Sequence, residues 1–157
     1  MYPGGEFIVT VPPYVQKSTI ETYVHTKSAW VLKHLARLKQ LPKPLLRKNS
    51  RAEYITHKQA ALERVTRRLA YFNQFYNLNI GTVRIKNQKT RWGSCSKKGN
   101  LNFNYKIALL PDHLADYIIV HELCHVGQFN HSRNFWNLVG QTIPDYKILR
   151  ATLKKYQ

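Results

Sequence analysis

Cysteine is scarce in this sequence: Cys95 and Cys124 are the only two in 157 residues. Two thiols cannot supply the disulfide framework of a small secreted domain, so a reduced, cytoplasmic setting is expected. Acidic residues are scarce too, with eight Asp and Glu against twenty-five Lys and Arg, and no run of carboxylates suits a magnesium site. No G-x-x-x-x-G-K-[ST] loop is present to cradle a nucleotide's phosphates. The opening MYPGGEFIVTVPP lacks the basic lead and long apolar stretch of a signal peptide. No window approaches the roughly 18 apolar residues of a membrane span, and neither an internal repeat nor a low-complexity segment occurs.

What remains is a chain rich in core-forming residues, 43% apolar with ten Tyr, six Phe and three Trp. That suits one domain with a small appendage. The formal charge of +17 favours contact with a polyanion such as nucleic acid, although a solvated basic surface would give the same count.

Residues 7–11, FIVTV, read as a short strand closed by Pro12 and Pro13. Ser18 with Glu21 has the spacing of a capping box, opening a helix with apolar positions at Ile20, Tyr23, Val24, Val31, Leu35 and Leu38. Pro42 and Pro44 end it, which places a boundary between an N-terminal strand–helix arm, 1–48, and a main body, 49–157. A second capping box, Ser50 with Glu53, predicts a helix to about Tyr76 with a stripe of Ile55, Leu62, Val65, Leu69, Phe72 and Tyr76. Three strands follow, TVRIK, TRWGSCS and LNFNYKIAL, the last alternating through Leu101, Phe103, Tyr105 and Ile107. Pro111 suits the first turn of a helix reaching about Phe129, and DYIIVHELCHV in its middle is apolar on nearly every side, as a buried helix is. Ser132 can cap a short helix and Pro144 can start the last.

Inside that buried helix lies HELCHVGQFNH, from His121 to His131. His121 and His125, four apart, share one helical face, the spacing by which H-E-x-x-H chelates zinc. Glu122, about 100° further round, can miss the metal and still exchange protons with a water held there. A catalytic zinc normally has three protein ligands, and His131 is the expected third. An unbroken helix would carry His131 about 240° from His125, so the helix must end first. Gly127 and Asn130, which tolerates left-handed angles, are the candidates for that turn. No Glu follows Glu122, and Asp145 is the only acid further on. The spacing is that of the metzincins, but Gln128 stands where they have glycine, and Met1 is the only methionine, so no methionine turn can underlie the metal. Buried histidines satisfied by the core alone would each need a separate partner, which metal coordination supplies at once.

Taken in order, RWGSCS, LNFN, HELCH, NHS, FW and PDY resemble the YgjP-like metallopeptidase family, relatives of the SprT-like and WLM zinc proteases. The resemblance implies an α+β, small zincin-like fold: a short mixed sheet backed by the helix 50–76, with His121, Glu122 and His125 on a buried helix. It implies one zinc ion on His121, His125 and His131, and a fuller hairpin ahead of the VPP segment. Arg91 and Trp92 belong to its signature and either touch substrate or fix the strand–turn geometry. Asn104 would orient substrate or tie down a turn, while Tyr105 and Tyr146 are candidates to bond a developing oxyanion. An extended peptide could pair with an exposed edge of LNFNYKIAL. Cys95 and Cys124 are read as packing residues.

The expected function is a zinc-dependent peptidase with Glu122 as general base and acid, acting on peptide or protein, in a narrower version on protein carried by nucleic acid. Two rivals use the same residues. One is metal-dependent hydrolysis of a nucleotide phosphoanhydride. The other is a nucleic-acid-binding module with a structural zinc, against which three ligands and a free glutamate argue.

Overall fold

The computed structural model describes residues 9–39 and 50–156. The chain falls into two compact units, Met1–Lys43 and Pro44–Gln157; the boundary expected at 48/49 and the prolines at 42 and 44 lie outside the described residues. No helix among them is long and apolar enough to cross a membrane.

The first unit holds α1 (Lys17–Thr26) and α2 (Ser28–Lys39). Of the expected strand, residues 9–11 carry no strand pairing and 7–8 lie outside the described residues. The Ser18–Glu21 capping box does not form. A turn closed by the Val15 amide on the Pro12 carbonyl starts α1 earlier, with Gln16 as its cap, so Ser18 is already inside the helix. The expected single helix is divided at Lys27, whose N–H is shared between the Tyr23 and Val24 carbonyls. The apolar stripe has a gap there, because Lys27 and Ser28 occupy the positions that should carry it on.

In the second unit α3 (Arg51–Tyr76) begins as the sequence predicts, with Ser50 Oγ accepting from the Glu53 amide. The Glu53 carboxylate accepts from the Tyr105 hydroxyl at 3.0 Å, tying the helix start to the core. Asn77 takes left-handed angles at the exit (φ 49°), and Asn73 bonds both the N–H and the C=O of Leu78. The buried stripe is Ala61, Val65, Leu69 and Phe72. Ile55 is 66% exposed, because the inward face at the first turns passes through Tyr54, whose hydroxyl reaches the Ile85 carbonyl. Tyr76 fixes the other end, donating to the Leu138 carbonyl at 2.9 Å.

Strands β1 (Val83–Lys86), β2 (Gly93–Cys95) and β3 (Leu101–Asn104) form one sheet in the order β1-β3-β2. β1 runs parallel to β3 with Val83 opposite Leu101, and β2 runs antiparallel with Gly93 opposite Phe103. The β2–β3 turn needs Gly99, whose φ of +70° suits a residue without Cβ. LNFNYKIAL is strand only as far as Asn104. There the Asn104 Oδ1 accepts from the Lys106 amide and starts a 3₁₀ turn, Tyr105–Leu109. Tyr105 and Ile107 are fully buried as the alternation expects, but Asn104 and Lys106 between them are buried as well, because past Asn104 the chain is a 3₁₀ turn enclosed on both sides and no longer a strand.

α4 (Asp112–Gly127) is capped by Pro111 and buried along most of its length, two residues shorter than expected. Arg68 binds both carboxylate oxygens of Asp116 at 2.7 Å, joining α3 to α4. Arg64 donates to the Ile107 and Leu110 carbonyls at 2.9 Å and pairs with Asp112. Arg64→Ala should therefore cost about 2 kcal/mol, since carbonyls at the head of α4 lose their donor. A lower urea midpoint at unchanged slope would show it. Helices α5 (Arg133–Thr142) and α6 (Tyr146–Leu153) and a closing 3₁₀ turn, Lys154–Tyr156, complete the unit, with Ser132 Oγ accepting from the Phe135 amide at the start of α5.

Candidate metal centre

α4 places His121 and His125 one above the other, and the chain beyond it brings His131 to both. The three ring centroids lie 4.7, 4.8 and 5.0 Å apart, and the possible ligand atoms all fall within 4.8 Å of one another. His121 Nε2 and His131 Nε2 are 3.1 Å apart, close to the roughly 3.3 Å between two nitrogens on one tetrahedral zinc at ~2.05 Å. The turn differs from the expected one. Asn130 is not left-handed, since Asn77 is the only non-glycine of positive φ among the described residues. α4 ends when Gln128 becomes extended (φ −137°, ψ 101°). Its carbonyl accepts from His125 Nδ1 at 3.1 Å, leaving the opposite nitrogen of that ring free to bind a metal. Gly127 serves packing, because a Cβ there would stand 3.2 Å from Leu78.

Phe135, fully buried, touches all three imidazoles at 4.4 to 4.9 Å between centroids and forms their apolar floor. Trp136 stacks against His131 at 5.6 Å, and Tyr146 stacks on Trp136 at 5.1 Å. Burial, then the neighbouring His125, His131 and Arg150, push His121 down to about 3. His125 and His131 are lowered too, chiefly by burial. Three neutral imidazoles converging on one point are the form in which histidine binds a metal, so the donor set fits a zinc ion.

Glu122 is 7% exposed. Burial raises its pKa to about 8 against the opposing charge of Arg91, and a cation at the histidines would draw it down again. Its carboxylate fits because β2 has no side chain at Gly93: a Cβ there would lie 2.5 Å from Glu122 Cγ and 2.7 Å from Oε1. Gly93→Ala should displace Glu122, at an overpacking cost of about 1–3 kcal/mol. Turnover should fall while zinc content stays; undiminished turnover would remove Gly93 from the site.

Two clefts flank the triad and share Arg91, Gly93, His121, Glu122 and His131. The larger, about 610 Å³, adds Tyr117, Trp136 and Arg150; the smaller, about 380 Å³, adds Ser94, Cys95, His125 and Phe129. Of the five residues expected to touch substrate, exposed Arg91 lines both clefts, and Trp92, 4% exposed, lines the larger from the core. Asn104 and Tyr105 are enclosed at 0% exposure. Asn104 holds the Gln88 and Arg91 carbonyls and Tyr105 holds Glu53, so both tie down the scaffold and leave the clefts to others. Half-buried Tyr146 packs on Trp136. The edge expected on LNFNYKIAL is also absent, since β3 is the central strand; the strand edge beside Glu122 belongs to β2. Cys124 is core and Cys95 lies on β2; burial holds both thiols protonated, at about 12 and 11.

Sequence reasoning missed Tyr117, Phe135, Gly93 and Arg150. Tyr117 was detectable, standing four residues before His121 on the same helical face. Its ring lies 5.8 Å from that imidazole, and burial raises its phenol to about 12. Arg150 had no local signal.

Residues 47–156 match the family described as YgjP-like, metallopeptidase domain. Among solved structures, the metallopeptidase zymogen of Pyrococcus abyssi abylysin is similar, with 26% identity and a TM-score of 0.52. The match covers 57% of this chain and 93% of that one. The metallopeptidase zymogen of Methanocaldococcus jannaschii jannalysin matches at 25% identity and a TM-score of 0.48, over 57% and 95% of the two chains. No curated protein matches.

Proposed function

The chain belongs to the YgjP-like metallopeptidases, and from that membership we propose that it hydrolyses peptide bonds at the triad of His121, His125 and His131, with Glu122 as general base and acid. The observation that carries this reading is the convergence of three imidazoles beside a buried carboxylate in a cleft. A single zinc ion held by the three histidines would supply Lewis acidity, polarising the scissile carbonyl and making a water acidic enough to attack it.

The protein's residues do the rest. Glu122, held against Gly93, accepts the proton of the attacking water and passes it to the leaving amine nitrogen, giving one carboxylic acid and one amine. Phe135 and the His125–Gln128 bond keep the imidazoles aligned before anything binds. Tyr117, whose phenol burial holds protonated, offers an O–H from the cleft wall to the carbonyl oxygen as negative charge grows on it. An extended peptide lies along the β2 edge, where main-chain hydrogen bonds hold it beside the histidines.

The test offers peptide and nucleoside-triphosphate panels to the zinc-loaded protein, with removal and return of the metal as control. Peptide cleavage that disappears with zinc and returns with it is expected. Triphosphate hydrolysis without peptide cleavage would overturn the reading. The narrower version, in which the substrate is presented on nucleic acid, is supported only by the charge of +17. It predicts DNA binding that weakens steeply with salt.

A further inference from the structure

The two clefts differ in charge. The larger carries Arg91, Arg150 and Lys154, and Glu122 is the only acid among its lining residues. The smaller shares Arg91 and otherwise presents Ser94, Cys95, His125 and the half-exposed ring of Phe129. Arg150 lies in the last turn of α6 and Lys154 is the residue that follows the helix; both line the larger cleft. Among the described residues none of these three cations has an ion-pair partner.

Arg150 is also placed. Its guanidinium carbon lies 5.0 Å from the Trp136 ring centre, and Trp136 is itself stacked between contacts to His131 and Tyr146. The charge therefore rests on a platform that abuts a candidate ligand, and its field reaches His121 and His131, whose pKa values it helps to lower. A guanidinium held on an aromatic face loses little freedom when it binds, and its paired N–H groups match a carboxylate better than a neutral amide. An unpaired cation facing a cleft beside reacting groups acts on whichever part of the substrate lies there.

We propose that the larger cleft binds a carboxylate of the peptide substrate on one side of the scissile bond, with Arg150 as the specificity-determining residue. This rests on the peptidase reading above. The carboxylate belongs either to an Asp or Glu side chain or to the peptide's own C-terminus. Arg91 and Lys154 add attraction at longer range, which salt screens. The smaller cleft, with no counterpart to Arg150, accepts neutral or apolar residues on the other side.

The test compares peptides that differ only by Glu or Gln next to the cut, on either side, each with a free or an amidated C-terminus. The full zinc-loaded chain is assayed for cleavage. Binding of the same labelled peptides to the Glu122→Gln protein is followed by fluorescence anisotropy. The expected result is a preference of roughly tenfold for the carboxylate peptide, on one side of the cut only. Arg150→Gln should abolish that preference, Arg150→Lys should keep part of it, and Arg150→Glu should turn it toward Lys-containing peptides. Loss of the preference on amidation alone identifies the chain terminus as the source; insensitivity to amidation identifies the side chain. Equal handling of Glu and Gln peptides by the wild type, together with equal handling of free and amidated C-termini, overturns the proposal. So does a preference that survives Arg150→Gln, or an equal slowing of both peptides by that change, which would mark a role in the transition state. If no peptide is cleaved while the Arg150-dependent binding preference remains, the peptidase reading fails and the subsite stands.

Discussion

Glu122→Gln is expected to retain zinc and to lower kcat by about 10²- to 10⁴-fold, the range for removing a positioned general base. The amide has the size of the carboxylate and fits the space that Gly93 leaves, so the histidines and their spacing should not change. Metal analysis of the purified variant beside its turnover separates the two effects. Full zinc content with wild-type turnover would show that another group handles the proton. The same variant carries a stability signature in the metal-free protein. Burial raises the Glu122 pKa from an ordinary 4.5 to about 8. Between those values the folded state holds a proton that the unfolded state has released, so wild-type stability falls as pH rises through that window. The substituted amide cannot ionise, and the variant's advantage over wild type should grow with pH until about 8 and then level off. Urea titrations across the range measure it; a difference independent of pH would mean that Glu122 is already ionised when folded.

His131→Ala should abolish activity by emptying the site. His131 is the exposed member of the triad and stands outside α4, so its loss leaves two ligands on one helix. Two imidazoles fall short of the three protein ligands that catalytic zinc normally has. Zinc affinity should drop by more than about 100-fold, beyond the 10- to 100-fold typical of losing an outer partner of a ligand. Competition with a chromophoric chelator reads that directly. The metal-free fold should change by less than about 1 kcal/mol, because Ser132 still caps α5 and Phe135 still fills the core. A variant that keeps tight stoichiometric zinc would remove His131 from the ligand set and point to a different third donor.

Local chemistry explains which features could be read without coordinates. The α3 start was legible at Ser50 because a cap is a contact between near neighbours, and the Ser132 cap of α5 was legible for the same reason. The capping pattern at Ser18 misled because the Pro12–Val15 turn set the helix start two residues earlier. Alternation in LNFNYKIAL reported burial at Leu101, Phe103, Tyr105 and Ile107. It could not report that one Asn side chain would end the strand at position 104. The expected reversal at Asn130 failed likewise. The chain turned through an extended Gln128, whose carbonyl meets a ring held on the preceding helix.

By itself the sequence determined the pairing of His121 with His125, the adjacent position of Glu122, and the largely buried helix that carries them. Those are consequences of a 3.6-residue repeat acting over a few residues. Tertiary structure alone decided that β2 is an edge strand and β3 the central one, and that Gly93 makes room for the Glu122 carboxylate. It also placed Phe135 beneath all three rings and Arg150 against Trp136 at the cleft. Each joins segments distant in the chain or set by a turn, and such contacts depend on how whole elements pack, which no local pattern encodes.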